Sequence, residues 1–278
     1  MSEKKSKWVK FKRFLKRNMT PTWAKHFGYQ VFAFIVSVAM IVGVADYAIT
    51  KSYDERKLVF VEGFTITAHT GAYGTTMNTL EFVETAIKNN PQIIELDIRK
   101  RPDGTLVMSH DIVVTNNDGV KLESAFMLLQ GTDIKINLDI KETRVLNDLY
   151  ALLLNYNLVE QSFLTGIETY NVDAVRESDC VNMDYYLNYS PKKTRLFSDS
   201  YRQKLIELLE ESGAVGINCN YKYANSQLSD LLHKKGYKLS VWTVDKERTA
   251  KKMLVISPDN ITTKDPEMIQ NVIENWGK

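Results

Sequence analysis

Three short segments between residues 68 and 111 collect the side chains best suited to proton transfer and cation binding. They read AHTG at 68–71, ELD at 95–97 and DGTLVMSHD at 103–111. His69 and His110 each close an apolar, strand-like run. An imidazole can accept or release a proton near neutral pH. Glu95 and Asp97 lie two apart inside IIELDI, 93–98. Residues two apart on a strand share a face, so the two carboxylates point the same way. Such a pair among apolar neighbours is costly unless a cation or hydrogen bonds compensate it. All-oxygen ligands favour a hard ion, Mg²⁺ or Ca²⁺, over zinc. Proton transfer beside such an ion is the chemistry of phosphodiester cleavage.

These side chains need a scaffold that brings distant segments together. Apolar β-like runs are expected at 65–69, 93–99, 134–141, 162–165, 182–186, 214–218, 239–244 and 260–263. Helical patterns fall between them, at 79–88, 144–153, 199–212 and 226–235. Asn78 followed by Glu81 resembles a capping box, and Asp103-Gly104 marks a hairpin turn. Eight alternating units predict the α/β class, as a closed (β/α)8 barrel of the triosephosphate-isomerase type. The stretch from Phe64 onward, about 215 residues, is near the lower limit for that architecture. A doubly wound open sheet is the alternative, but neither GxGxxG nor a P-loop is present. Barrel active sites lie at the C-terminal strand ends, where His69, Asp97, Lys141, Asn218 and Val244 are expected.

The N-terminal region has a different character. Residues 1–25 hold nine Lys or Arg against one Glu, a charge of +8; with +2 for the whole chain, the rest carries −6. A mildly acidic body argues against a nucleic-acid partner. Residues 27–45 contain no charge, and roughly 20 apolar residues span a bilayer core. Basic residues crowd before this segment and acids follow it, so the positive-inside bias places the N-terminus in the cytoplasm and the body outside. A cleaved signal peptide has a shorter apolar run. The expected organisation is a basic tail at 1–26, a transmembrane signal anchor at 27–49, a spacer at 50–63 and the barrel at 64–278. Cys180 and Cys219 suggest neither a disulfide framework nor a zinc site, and no protein partner can be inferred.

From about Thr65 to Glu267 the chain resembles the glycerophosphodiester phosphodiesterases. Their pattern runs HRG, ENT, ExD, DG followed shortly by HD, then ExK, WT and TD-x-P. This chain offers His69-Thr70-Gly71, Met77-Asn78-Thr79, Glu95-Leu96-Asp97, Asp103-Gly104 with His110-Asp111, Asp139-Ile140-Lys141, Trp242-Thr243 and Thr263-Lys264-Asp265-Pro266. The resemblance implies a barrel enzyme with one divalent cation that splits glycerophosphodiesters or lipid headgroups into glycerol 3-phosphate and an alcohol. It further implies His69 and His110 as the proton-transfer pair, and Glu95, Asp97 and Asp139 as metal ligands. Lys141 would bind the phosphate, and Trp242 would line the glycerol pocket.

The departures are specific. Thr70 stands where the pattern has a phosphate-binding Arg, Asp139 is one methylene shorter than Glu, and Met77 replaces the Glu of ENT. Thr70 is expected to keep that substrate-binding place, but it cannot supply the bidentate, charge-assisted bonds of a guanidinium. Arg99 shares parity with Glu95 and Asp97, so it is expected to contribute part of the missing charge, with Arg101 a further candidate. An alternative is a catalytically weak barrel that binds glycerophosphate polymers or lipid headgroups. A phospholipase C-like barrel also uses paired histidines, but the three acids favour the first reading.

Overall fold

The computed structural model describes Trp8, Arg13 and residues 20–278. The rest of the basic leader, and with it most of the expected cytoplasmic tail, lies outside the described residues. The chain divides into two compact units, Met1–Ser52 and Tyr53–Lys278.

The first unit holds most of the helix Pro21–Asp54, in which no residue is buried. Pro21 suits a first helical turn because its missing N–H has no partner to lose there. Thr20 caps that turn, its Oγ1 accepting from Trp23 N at 3.1 Å. At a rise of about 1.5 Å per residue the helix exceeds a hydrocarbon core of about 30 Å. By length and composition it is a candidate membrane span. It starts before residue 27 and continues into the expected spacer.

The second unit is a closed barrel. Its eight parallel strands are β1 (Thr65–Ala68), β2 (Ile93–Lys100), β5 (Lys135–Ile140), β6 (Ser162–Ile167), β7 (Tyr185–Asn188), β8 (Gly216–Asn220), β9 (Lys238–Trp242) and β10 (Asn260–Thr263). β1 pairs with both β2 and β10, which closes the ring. Two short strands, β3 (Leu106–Met108) and β4 (Val120–Lys121), form an antiparallel arm on the end of β2. The turn into this arm is the expected one. Gly104 takes φ +93°, and Asp103 Oδ1 accepts from Thr105 N at 2.9 Å.

The β2 sequence explains its place. Ile94, Leu96 and Ile98 are fully buried, and the alternating Glu95 and Asp97 are buried too. A strand covered on both faces is what a parallel barrel requires. Pairing with β5 sets Asp97 beside Asp139 and Glu95 beside Asn137. The next strand comes close only because residue 166 is glycine. A Cβ there would sit 2.4 Å from Ile140 O and 2.6 Å from Asp139 Oδ1. Gly166 also has φ +77°, which an L side chain rarely adopts.

Two local readings are corrected. β7 lies at Tyr185–Asn188 rather than 182–186, because Asp179–Asn182 form a 3₁₀ turn in which Ser178 accepts from Cys180 N. The cap of the helix Leu80–Asn89 is Thr79, which accepts from Phe82 N, and not Asn78. Helices at Leu122–Leu129, Val172–Arg176, Glu247–Leu254 and Pro266–Glu274 complete the unit without having been read from periodicity. Cys180 and Cys219 are both buried and free.

Candidate active site

At the C-terminal ends of the strands a cavity of about 300 Å³ is lined by His69, Met77, Glu95, Asp97, His110, Asn137, Asp139, Lys141, Thr165, Asn188, Asn218, Trp242, Thr243 and Thr262. Seven barrel strands, β2 and β5–β10, contribute to it, together with His69 directly after β1 and His110 on the β3–β4 arm. Both histidines and all three acids therefore face one space.

The acids converge. One oxygen each from Glu95, Asp97 and Asp139 lies within 4.8 Å of the others. Oxygens on a Mg²⁺ or Ca²⁺ ion sit about 2.0–2.6 Å from its centre, so opposed ligands are up to about 5 Å apart. The three carboxylates thus fit one hard cation by donor type and spacing. Lys141 already stands among them, with Nζ 2.8 Å from Asp97 Oδ1 and 2.5 Å from Asp139 Oδ2.

Each acid has its own support. Glu95 Oε2 accepts from Thr70 N at 3.2 Å and lies 3.6 Å from His69 Nε2. Burial, then the charges of Asp97 and Asp139, push its carboxyl well above the usual range. Burial pushes Asp97 up as well, but Lys141 and the Asn78 amide outweigh it and hold that carboxyl below the usual range. Asp139 Oδ1 accepts from Thr165 Oγ1 at 3.1 Å. Lys141 is raised above the usual ammonium range, because the pull of Asp139 and Asp97 exceeds the cost of burial.

The two histidines differ. His69 ends β1, and its Nδ1 lies 2.8 Å from Thr70 O. A carbonyl only accepts, so Nδ1 carries a proton and Nε2 is the open position. Burial lowers the His69 pKa, with Lys264 adding to this while Thr70 O and Asp97 oppose it. His110 sits on the β3 arm, 62% exposed, with Nδ1 3.2 Å from Asp111 Oδ1.

Two expected substrate contacts are placed elsewhere. Thr70 is fully buried and does not line the cavity. Its Oγ1 accepts from Asn78 N at 2.7 Å and donates to Asn78 Oδ1 at 3.3 Å. Arg99 is also absent from the lining; its Nε and Nη2 donate to His110 O at 3.1 and 3.0 Å. Same-face parity is no guarantee of a cavity contact, because the long arginine stem folds toward the neighbouring arm. Arg101 donates to Asp118 O and Gly119 O at the base of that arm.

Other residues were missed. Asn78 donates from Nδ2 to Asp97 Oδ2 at 2.8 Å, from a left-handed backbone at φ +56°. Asn137, Thr165, Asn188 and Thr262 line the cavity. Their signal was polarity inside buried strands, and Asn137 shares parity with Asp139 and Lys141. Trp242 does line the cavity, and its buried indole N–H has no hydrogen-bond partner among the described residues.

No family profile matches the chain. A curated relative from Caldanaerobacter subterraneus subsp. tengcongensis, a glycerophosphodiester phosphodiesterase, is 24% identical over 243 residues, 72% of this chain and 93% of the relative. Among solved structures, a glycerophosphodiester phosphodiesterase from Thermotoga maritima has TM-score 0.59 at 19% identity, covering 77% of this chain and all of that one, 100%. An Oleispira antarctica phosphodiesterase, solved with its product sn-glycerol-3-phosphate, has TM-score 0.60 at 18% identity, covering 76% and 97%. The barrel fold and the family resemblance read from the motifs are borne out.

Proposed function

We propose that this protein hydrolyses glycerophosphodiesters to glycerol 3-phosphate and an alcohol, with the aid of one divalent cation. The carrying observation is that Glu95, Asp97 and Asp139 converge in one cavity with His69 and His110. The curated relative bears the same activity in its name. The three acids would hold the ion, Mg²⁺ or Ca²⁺. A bound ion would offset the phosphate charge and stabilise charge developing on its oxygens.

The chain's own groups supply the rest. His69, kept neutral by burial and open at Nε2, takes the proton from the attacking oxygen. His110, on the exposed arm, gives a proton to the departing alcohol. Lys141 steadies the phosphate while holding Asp97 and Asp139 in register. The Trp242 N–H, without a hydrogen-bond partner among the described residues, would donate to a glycerol oxygen.

The helix Pro21–Asp54 serves as an uncleaved signal anchor in this proposal, with the barrel on the outer face of the cell membrane. Substrates are then diesters of the envelope or of lipid headgroups. The test is release of sn-glycerol 3-phosphate from a simple diester by the purified full chain, with and without EDTA. Cation-dependent release is expected; no release under any cation removes the catalytic reading. Thr70 in place of Arg favours a second reading, a barrel that binds glycerophosphates without turnover. Saturable binding without product would select it.

A further inference from the structure

The loss of an arginine at position 70 leaves the cavity with an unsolved charge problem. Three carboxylates and the Lys141 ammonium sum formally to −2, and a divalent ion brings this to zero. A phosphodiester adds −1 and meets no counter-charge at the position where the family pattern has Arg. Arg99 is engaged with the His110 carbonyl and Arg101 with the arm's base.

One cation stands at the same seam. Lys264 follows β10, the strand that pairs with β1, and the two strand ends are stitched together. His69 N donates to Thr263 O at 2.8 Å, and Tyr73 N donates to Lys264 O at 3.3 Å. The Lys264 backbone is pinned, its N–H donating to Asp245 Oδ1 at 2.8 Å. The side chain is not. Its Nζ lies 3.6 Å from Met77 Sδ, a weak acceptor, and no ion pair of Lys264 is found among the described residues. Met77 is itself part of the cavity wall, beside His69. The Lys264 side chain is exposed, and its ammonium therefore lies one side chain away from the cavity, with no ion pair among the described residues to hold it back. Its charge already acts on His69.

The three departures from the family pattern that meet here are mutually consistent. Residue 70 has lost a positive charge, residue 77 has lost a negative one, and residue 264 carries a positive charge in place of an Asp. Met77 in place of Glu removes the carboxylate that would capture the Lys264 ammonium. Asp in place of Lys264 would repel a phosphate.

We propose that Lys264 is the substrate-binding cation of this site, replacing across the β1–β10 seam the charge absent at Thr70, and that Met77 is the apolar rest over which it reaches the phosphate. This inference rests on the glycerophosphodiesterase reading for its ligand class but not for its test. The contacts that hold Lys264 in the fold are made by its backbone, so the Ala and Arg variants are expected to keep the fold.

The test measures binding of sn-glycerol 3-phosphate to the full chain, in parallel with diester hydrolysis. Lys264→Ala should weaken binding about 10-fold, the scale of one charge-assisted hydrogen bond. Lys264→Arg should restore it to within about threefold, and the salt dependence of binding should fall in the Ala variant only. Unchanged binding by Lys264→Ala overturns the proposal, as does a wild-type chain that binds no sn-glycerol 3-phosphate. Lys264-dependent binding without any hydrolysis overturns the catalytic reading and supports this one. Hydrolysis with product binding indifferent to Lys264 does the reverse.

Discussion

The barrel has a histidine–carboxylate pair at each end, and the two are built to opposite purposes. At the C-terminal end, His69 lies 3.6 Å from Glu95, a buried acid crowded by Asp97 and Asp139. At the N-terminal end, His233 Nε2 lies 2.8 Å from Asp259 Oδ2, an oxygen that also accepts from Leu239 N at 2.7 Å. Ser229 stands against the other imidazole nitrogen at 3.5 Å and donates to Ser257 O. The lower acid is satisfied by fixed donors and braces the entry of β9 and β10. The upper acids share a cavity, repel one another and lean on a single lysine. An imidazole beside a carboxylate thus yields a brace or an open, charge-strained cavity, according to whether the charge is answered from within the chain.

That contrast can be broken by mutation. The largest effect is expected from Glu95→Gln, Asp97→Asn or Asp139→Asn, or from chelation. Each should cut diester turnover by about 10³-fold or more, equivalent to several kcal/mol of lost charge stabilisation. Glu95→Gln should at the same time raise the thermal stability of the metal-free protein, by about 1–3 kcal/mol, because it removes a buried and repelled charge. Asp259→Asn should do the opposite, lowering the melting temperature and sparing turnover. Equal losses of activity at both ends would erase the distinction.

Next in size are His69 and His110, the proposed proton-transfer pair, at about 10²–10⁴-fold each. The assignment of roles is checked with an activated leaving group such as p-nitrophenol. His110→Ala should then recover most of its lost rate, since the departing group no longer needs a proton, and His69→Ala should not. Recovery by His69→Ala instead would exchange the two roles. Arg99→Ala comes third. Loosening the His110 arm should lower kcat about threefold to tenfold with KM little changed, the scale of one or two hydrogen bonds. A rise in KM alone would return Arg99 to phosphate binding. The smallest catalytic effect is expected from His233→Ala: kcat/KM should stay within about twofold, while stability falls by about 1–3 kcal/mol as Asp259 loses a partner. A calorimetric melt and one progress curve decide it.

Much of this architecture was legible in the chain. IIELDI and KINLDI announce strands through β-branched residues, and two-residue spacing put Glu95 with Asp97 and Asp139 with Lys141 on common faces. What spacing could not give was the lateral register. Asp97 sits beside Asp139 because β2 and β5 pair over six residues, and that depends on the whole ring closing. Asn78 was misread for a local reason. Asn-x-x-Glu satisfies the capping pattern, but Thr79 serves the helix equally well, which frees the Asn78 amide for Asp97. Arg99 was misread because parity fixes where a Cα–Cβ bond points, and says nothing of where four further bonds carry a guanidinium. The helices at Glu247–Leu254 and Pro266–Glu274 escaped because both are short and carry several charged or polar residues.

The β3–β4 arm gives the site two kinds of foundation. Glu95, Asp97, Asp139 and His69 are mounted on the ring itself, where a shift in one strand is resisted by both of its neighbours. His110 is mounted on an appendage held to the rim by one short ladder and a few side-chain bonds. Changes in the length or aim of that appendage would therefore leave the carboxylate floor of the cavity untouched. A chimera carrying a relative's 101–121 segment on this barrel would be the practical form of that modularity.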